Sequence, residues 1–244
     1  MPIATPPSTR TAALVVLLHL HAAVASRRIL LLHGSTSTTG AFMARGASNI
    51  LGAASSAYHD GGPHAWQFVG LDWDAGLDEV TDYGAWWTST DADSLQSESA
   101  MAGGDKAVAA IEDRLRQGDI DGIIGHAQGA LVASVVAARA ALGEGGTCPQ
   151  FVVCCGGAFP TPFDELLTRL AATPQASLTH AIPTMHCLSQ DALMPSAEGE
   201  RLARCFGGSD VLWHDAGCAL PPKAQCKEVI AWCDRIVPTG SRYT

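Results

Sequence analysis

At 244 residues, with 47% hydrophobic and 16% charged side chains, the chain is long enough for one domain with a sizeable core and too apolar for disorder. A formal charge of −9 without any cluster of Lys or Arg excludes nucleic acid and anionic membrane surfaces as expected partners. The acidity is concentrated in Asp72, Asp74, Asp78, Glu79, Asp82, Asp91, Asp93 and Glu98, which follow one another with no intervening Lys or Arg. A solvated loop accounts for them, because Asp72-Trp73-Asp74 lacks the spacing and closing Glu of an EF-hand loop. No residue pattern for a metal or a cofactor is found.

In chain order, Arg10 precedes the apolar run Ala12 to Leu18, and Ala23-Val24-Ala25 reads as an A-x-A cleavage site. Residues 1–25 are therefore expected to be a secretory signal peptide cut before Ser26, the alternative being an uncleaved extension. The first implies a secreted protein or one of the secretory pathway or an organelle, and an unused leader implies the cytoplasm. No other stretch is predicted to span a membrane.

Ile29 to Leu32 is a predicted strand, residues 40–52 a helix, and Trp66 to Leu71 a second strand. The acidic stretch to about residue 100 has neither period and reads as a long loop or lid. Val108, Ile111 and Leu115 share a helical face. A strand over 121–125 then leads through Gly125-His126-Ala127-Gln128-Gly129 into the Ala/Val-rich run Ala130 to Leu142. Phe151 to Cys155 is a fourth strand, Phe163 to Leu170 a short helix, and Ile182 to Leu188 a fifth strand. Ala197 to Phe206 is a helix, Val211 to His214 a sixth strand, and Cys226 to Ile236 a final amphipathic helix. The eight cysteines all lie between Cys148 and Cys233. Cys154, Cys155 and Cys187 are expected as buried free thiols, whereas Cys148, Cys205, Cys226 and Cys233 have the option of pairing if the chain is secreted.

Strands alternating with helices predict a mostly parallel sheet of about six strands with helices on both faces, in one domain over residues 26–238, followed by a tail over 239–244. Ligands in such sheets sit at the carboxyl ends of the strands. Strand, glycine-flanked turn and helix at 121–142 is the context of a nucleophile elbow, G-x-S-x-G, with Ala127 where the nucleophile stands. The loops after the third, fifth and sixth strands occur in the chain order Ser, Asp, His.

Arg28 to Gly34, Trp86-Trp87, Asp121 to Ala130, Ile182 to His186 and Gln190-Asp191-x-x-Met194-Pro195 occur together and in order. In these motifs the chain resembles the FSH-type serine hydrolases, small eukaryotic α/β-hydrolases, over about residues 28–237. The resemblance implies an α/β-hydrolase fold and carboxylic-ester hydrolysis. It also implies that the nucleophile position is Ala127, the acid Asp191 and the base Cys218, with the backbone amides of Ser35 and Gln128 as the oxyanion hole. Trp86 and Trp87 either pack over the core or line the rim of the pocket.

Two of the three triad positions thus lack the chemistry they need, and losing the serine–histidine unit removes roughly 10⁶-fold in turnover. The expected protein is a pseudo-hydrolase that binds a small apolar, acyl or ester-like ligand, or a protein partner. The alternative is a hydrolase or lyase with an acid/base mechanism built on His214 or Cys218 and Asp191. Cys218 acts as a nucleophile only where a neighbour lowers its pKa, and His126 is expected in a packing or rim role.

Overall fold

The computed structural model describes residues 26–34, 37–71, 86, 103–160, 163–190, 196–217 and 219–237. The predicted leader, the tail and most of the acidic stretch lie outside these residues. Six strands form one sheet: β1 (Ser26–Leu32), β2 (Ala65–Gly70), β3 (Gly122–His126), β4 (Phe151–Cys155), β5 (Thr184–Ser189) and β6 (Asp210–His214). Their spatial order is β2-β1-β3-β4-β5-β6, and every adjacent pair is parallel. The helices are α1 (Ser48–His59), α2 (Gly104–Arg116), α3 (Gln128–Ala141), α4 (Asp164–Ala172), α5 (Ser196–Cys205) and α6 (Lys223–Ile236).

The strands are apolar throughout because alternate residues feed two cores. Leu30, Leu32, Ile123, Val152 and Cys154 pack beneath α2, α3, α4 and α5. Ile29, Leu31, Ile124, Phe151, Val153, Cys155 and Cys187 pack beneath α1 and α6. The seven described cysteines are free thiols, and Cys226 and Cys233, which had the option of pairing, are fully buried in the second core.

The helix predicted over residues 40–52 is built differently. A short turn at Thr39–Ala41 widens into a π-helical turn over Phe42–Gly46, and the regular helix α1 then runs on to His59. The wide turn places Phe42 inward, against the end of β3. At the opposite end of the sheet, Arg27 and Asp121 form a buried ion pair at 3.2 Å. Asp121 also accepts from the Arg28 amide at 2.7 Å and from Gln150 Nε2 at 3.1 Å, which staples β1 to the entrance of β3. No helix of the described residues is long and apolar enough to cross a membrane.

Candidate active site

Between the last residue of β3 and the first of α3 stands one residue, Ala127, which makes the whole reversal. Its backbone has φ 49° and ψ −114°, and it is the one non-glycine residue with positive φ among the described residues. Such a conformation costs a residue with a Cβ ~1–3 kcal/mol and persists only where its surroundings impose it. Those surroundings are visible: the Ala127 amide donates to Cys155 O on β4 at 2.9 Å, and Ala127 O accepts from the amides of Ala130 and Leu131 in the first turn of α3.

The two flanking glycines are steric requirements. A Cβ on Gly125 would stand 2.4 Å from Gly129 O, and one on Gly129 would stand 2.4 Å from Leu32 O. Helix α3 therefore starts in backbone contact with both its own strand and β1. The loop leaving β1 crosses directly over the elbow, so near that a Cβ on Gly34 would lie 3.2 Å from Ala127 Cβ.

His33 ties this loop down. Its carbonyl accepts from the Gly129 amide at 3.1 Å and from Trp86 Nε1 at 2.7 Å, and its Nδ1–H donates to Gly34 O at 2.7 Å. Trp86 is 0% exposed, stacks on the His33 ring with centroids 4.9 Å apart, and donates its amide to Gln128 Oε1 at 3.2 Å. Of the two places expected for Trp86, the rim is therefore corrected to the core: the indole is an internal strut joining the β1 loop to the elbow helix. Gln128 is the first residue of α3, so its amide is among those a helix N-terminus leaves without an intrahelical acceptor, at the positive end of the helix dipole.

Two further histidines, His126 and His214, lie at this end of the sheet. The ring of His126 stacks on Phe42 with centroids 5.7 Å apart. His214, at the end of β6, is buried and accepts the Ala216 amide on Nδ1 at 3.2 Å. A backbone amide can only donate, so in the neutral ring the proton sits on Nε2, which has no hydrogen-bond partner. Burial is the main cause holding the His214 pKa below the usual imidazole value. Asp215 opposes this, and the charge of His126 adds to it. His214 thus presents a donor at neutral pH, with no free lone pair to act as a base.

The described cysteines offer no nucleophile where a shift is resolved. The Cys155 thiol is pushed up, first by its hydrogen bond with Cys187 and then by burial, and burial raises Cys154, Cys226 and Cys233. Among the described residues no group of acidic, His and Cys side chains could hold a metal ion. Ser35, Trp87, Asp191 and Cys218 lie outside the described residues. Ala127, Gln128 and Trp86 are brought together at the elbow. His33 and Phe42 are the two site residues that sequence reasoning left without a role. The only sequence signal for them was their place, at the end of β1 and at the start of the helical pattern after it.

Residues 23–230 match the family described as serine hydrolase (FSH1). The chain is 31% identical to bovine esterase OVCA2 over 150 residues, which cover 58% of this chain and 62% of that protein. It is 27% identical to the Caenorhabditis elegans esterase C25G4.2 over 176 residues, 68% of this chain and 76% of that one. The chain therefore spans less than two thirds of the length of the bovine relative. Among solved structures, Zea mays acyl-protein thioesterase 2 superposes with a TM-score of 0.60 at 20% identity, covering 88% of this chain and 94% of that one. Arabidopsis thaliana SOBER1 superposes with a TM-score of 0.60 at 15% identity, covering 88% and 100%. Likeness at these identities is one of fold, an α/β-hydrolase.

Proposed function

The chain belongs to the serine hydrolase (FSH1) family, and from that premise we propose that it is a pseudo-hydrolase. It keeps the family's acyl-binding architecture and has lost the chemistry of its triad. The observation that carries this reading is Ala127. The turn holds the strained backbone that serves to project a nucleophile, on a residue whose side chain is a methyl group. The oxyanion site needs only backbone amides, so it survives the loss of the serine and retains affinity for a carbonyl oxygen. The occupant is a small apolar or ester-like molecule, bound and not turned over.

The competing reading, acid/base chemistry through His214, is disfavoured by that ring's hydrogen bonding, since Nδ1 is committed to the Ala216 amide and Nε2 carries the proton. The test compares p-nitrophenyl butyrate turnover by wild type, Ala127→Ser and the double variant Ala127→Ser/Cys218→His. Wild type and the single variant are expected at background, because serine and histidine act as a unit worth roughly 10⁶-fold. The double variant is expected to recover turnover and to become sensitive to fluorophosphonate. Wild-type turnover that His214→Ala or Cys218→Ala abolishes would sink the proposal.

A further inference from the structure

Among the described residues only two large apolar side chains are exposed, Val211 at 44% and Trp213 at 39%, and both belong to β6. That strand ends the sheet, with β5 on one side and no described strand on the other. Two residues apart, the side chains point to one face. They line an open groove between the strand and α5 that also carries Glu200 and Arg204. An exposed apolar edge is a template for pairing with another strand, and edges not used in this way are blunted by Lys, Pro or a bulge. β6 contains neither Lys nor Pro, and its register with β5 is continuous.

The backbone of β6 is set for the same pairing. His214 O accepts from the Gln190 amide on the β5 side. Backbone groups of successive residues turn to opposite edges of a strand, so Asp210, Leu212 and His214 bond to β5, and Val211 and Trp213 turn theirs outward. Trp213 O accepts from the exposed Gln225 side chain at 2.7 Å, which agrees with that direction and leaves the carbonyl a second lone pair.

We propose that β6 is a docking edge for a second copy of this chain, the two strands pairing antiparallel about a twofold axis at Leu212. This register is complementary to itself. It sets Val211 opposite Trp213 of the second copy, and Trp213 opposite its Val211, and each pair exchanges both N–H···O=C bonds. The same pairs place an indole against a branched side chain, a favoured cross-strand combination. The axis that reverses the strand also reverses α5, where Glu200 and Arg204 stand one turn apart. The Arg204 end of one groove therefore lies level with the Glu200 end of the other, base beside acid. The edge supplies fewer residues than the roughly 20–30 a side of a standard interface, so the dimer is weak and forms with rising concentration.

Sedimentation velocity of the full chain, from micromolar to near-millimolar concentration, tests this for wild type, Val211→Pro and Trp213→Glu. Wild type is expected to shift from monomer toward dimer. Val211→Pro removes an outward N–H and no bond to β5, a place where an edge strand tolerates proline. Trp213→Glu replaces an exposed ring by a charge. Each should weaken association about tenfold or more, and thermal melts should show both folded. Oxidative cross-linking with copper phenanthroline reads the register. Leu212→Cys puts two thiols in a facing pair with Cα atoms about 4.5 Å apart, within disulfide reach, and a cross-linked dimer is expected. Val211→Cys puts them on a diagonal about 7–8 Å apart and should cross-link no better than wild type. The proposal is overturned if wild type stays monomeric at the highest concentration, or if either folded variant dimerises as wild type does. It is equally overturned if Leu212→Cys cross-links no better than Val211→Cys.

Discussion

Replacing Ala127 by glycine is expected to raise the stability of the protein, and the reason lies in the backbone alone. At φ 49° and ψ −114° a residue with a Cβ stores ~1–3 kcal/mol of strain, whereas glycine occupies the same conformation at almost no steric cost. Two effects oppose the gain. Glycine leaves the unfolded chain more entropy to lose, ~0.4–1 kcal/mol. The methyl group also contributes contact with the β1 loop, worth less than the ~0.8 kcal/mol of a fully buried methylene because Ala127 is only half-buried. The balance is a gain of about 1 kcal/mol, or a Tm higher by ~2–4 °C in a chain of this size. Urea unfolding and calorimetry of wild type, Ala127→Gly and Ala127→Val would measure it. Valine, branched at Cβ, should instead lower stability, because it adds steric load to the same strained backbone. If the glycine variant proves equal to or less stable than wild type, the turn is not strained. The inference from a retained elbow to a retained acyl site then loses its footing.

His186 should make stability fall in mild acid. Burial holds its pKa down from 6.5 to about 4, so the unfolded chain takes up a proton across that window and the folded one does not. The stability it supports is complete above about pH 6.5 and is lost as pH falls through about 4, amounting to about 3 kcal/mol. His186→Leu should flatten that part of a pH-dependent urea series, and an unchanged slope would contradict the assignment. Asp119 acts lower. Hydrogen bonds from Arg114, opposed by burial and joined by Arg28, hold its carboxyl at about 2 against the usual 3.8, so its contribution disappears as pH drops from about 4 to about 2. Solvent keeps that contribution to about 1 kcal/mol or less, and Asp119→Asn or high salt should remove it in acid melts. Gly129→Ala should cost about 3 kcal/mol, because the added methyl meets Leu32 O and His33 O, backbone atoms that cannot step aside locally. Urea unfolding reads the loss, and a neutral result would mean the elbow packs more loosely than these contacts require.

Local patterning in the sequence determined much of this protein. Continuous apolar runs at 29–32 and 151–155 marked strands buried on both faces, the mixed segment 182–188 marked a strand that in the fold begins only at Thr184, and the spacing of Cys226, Val229, Ile230 and Cys233 marked a helix with one buried side. The elbow was legible because a strand-to-helix reversal in one residue needs glycines where backbones touch, and Gly125 and Gly129 stand at those contacts. Periodicity reports which side of an element is buried and is silent about what lies opposite. Only the tertiary structure therefore decided that β1 lies between β2 and β3, and that Trp86 is a buried strut bonded to the β1 loop. The same holds for the proton on His214, fixed by the Ala216 amide, and for the unpaired polar atoms of Thr184 and His186. In a one-dimensional reading those two residues are simply members of an apolar strand. For Ala127 itself the division is sharpest. The sequence put an alanine between the two glycines of the turn, and the folded chain showed that this alanine carries a strained backbone at the start of the helix.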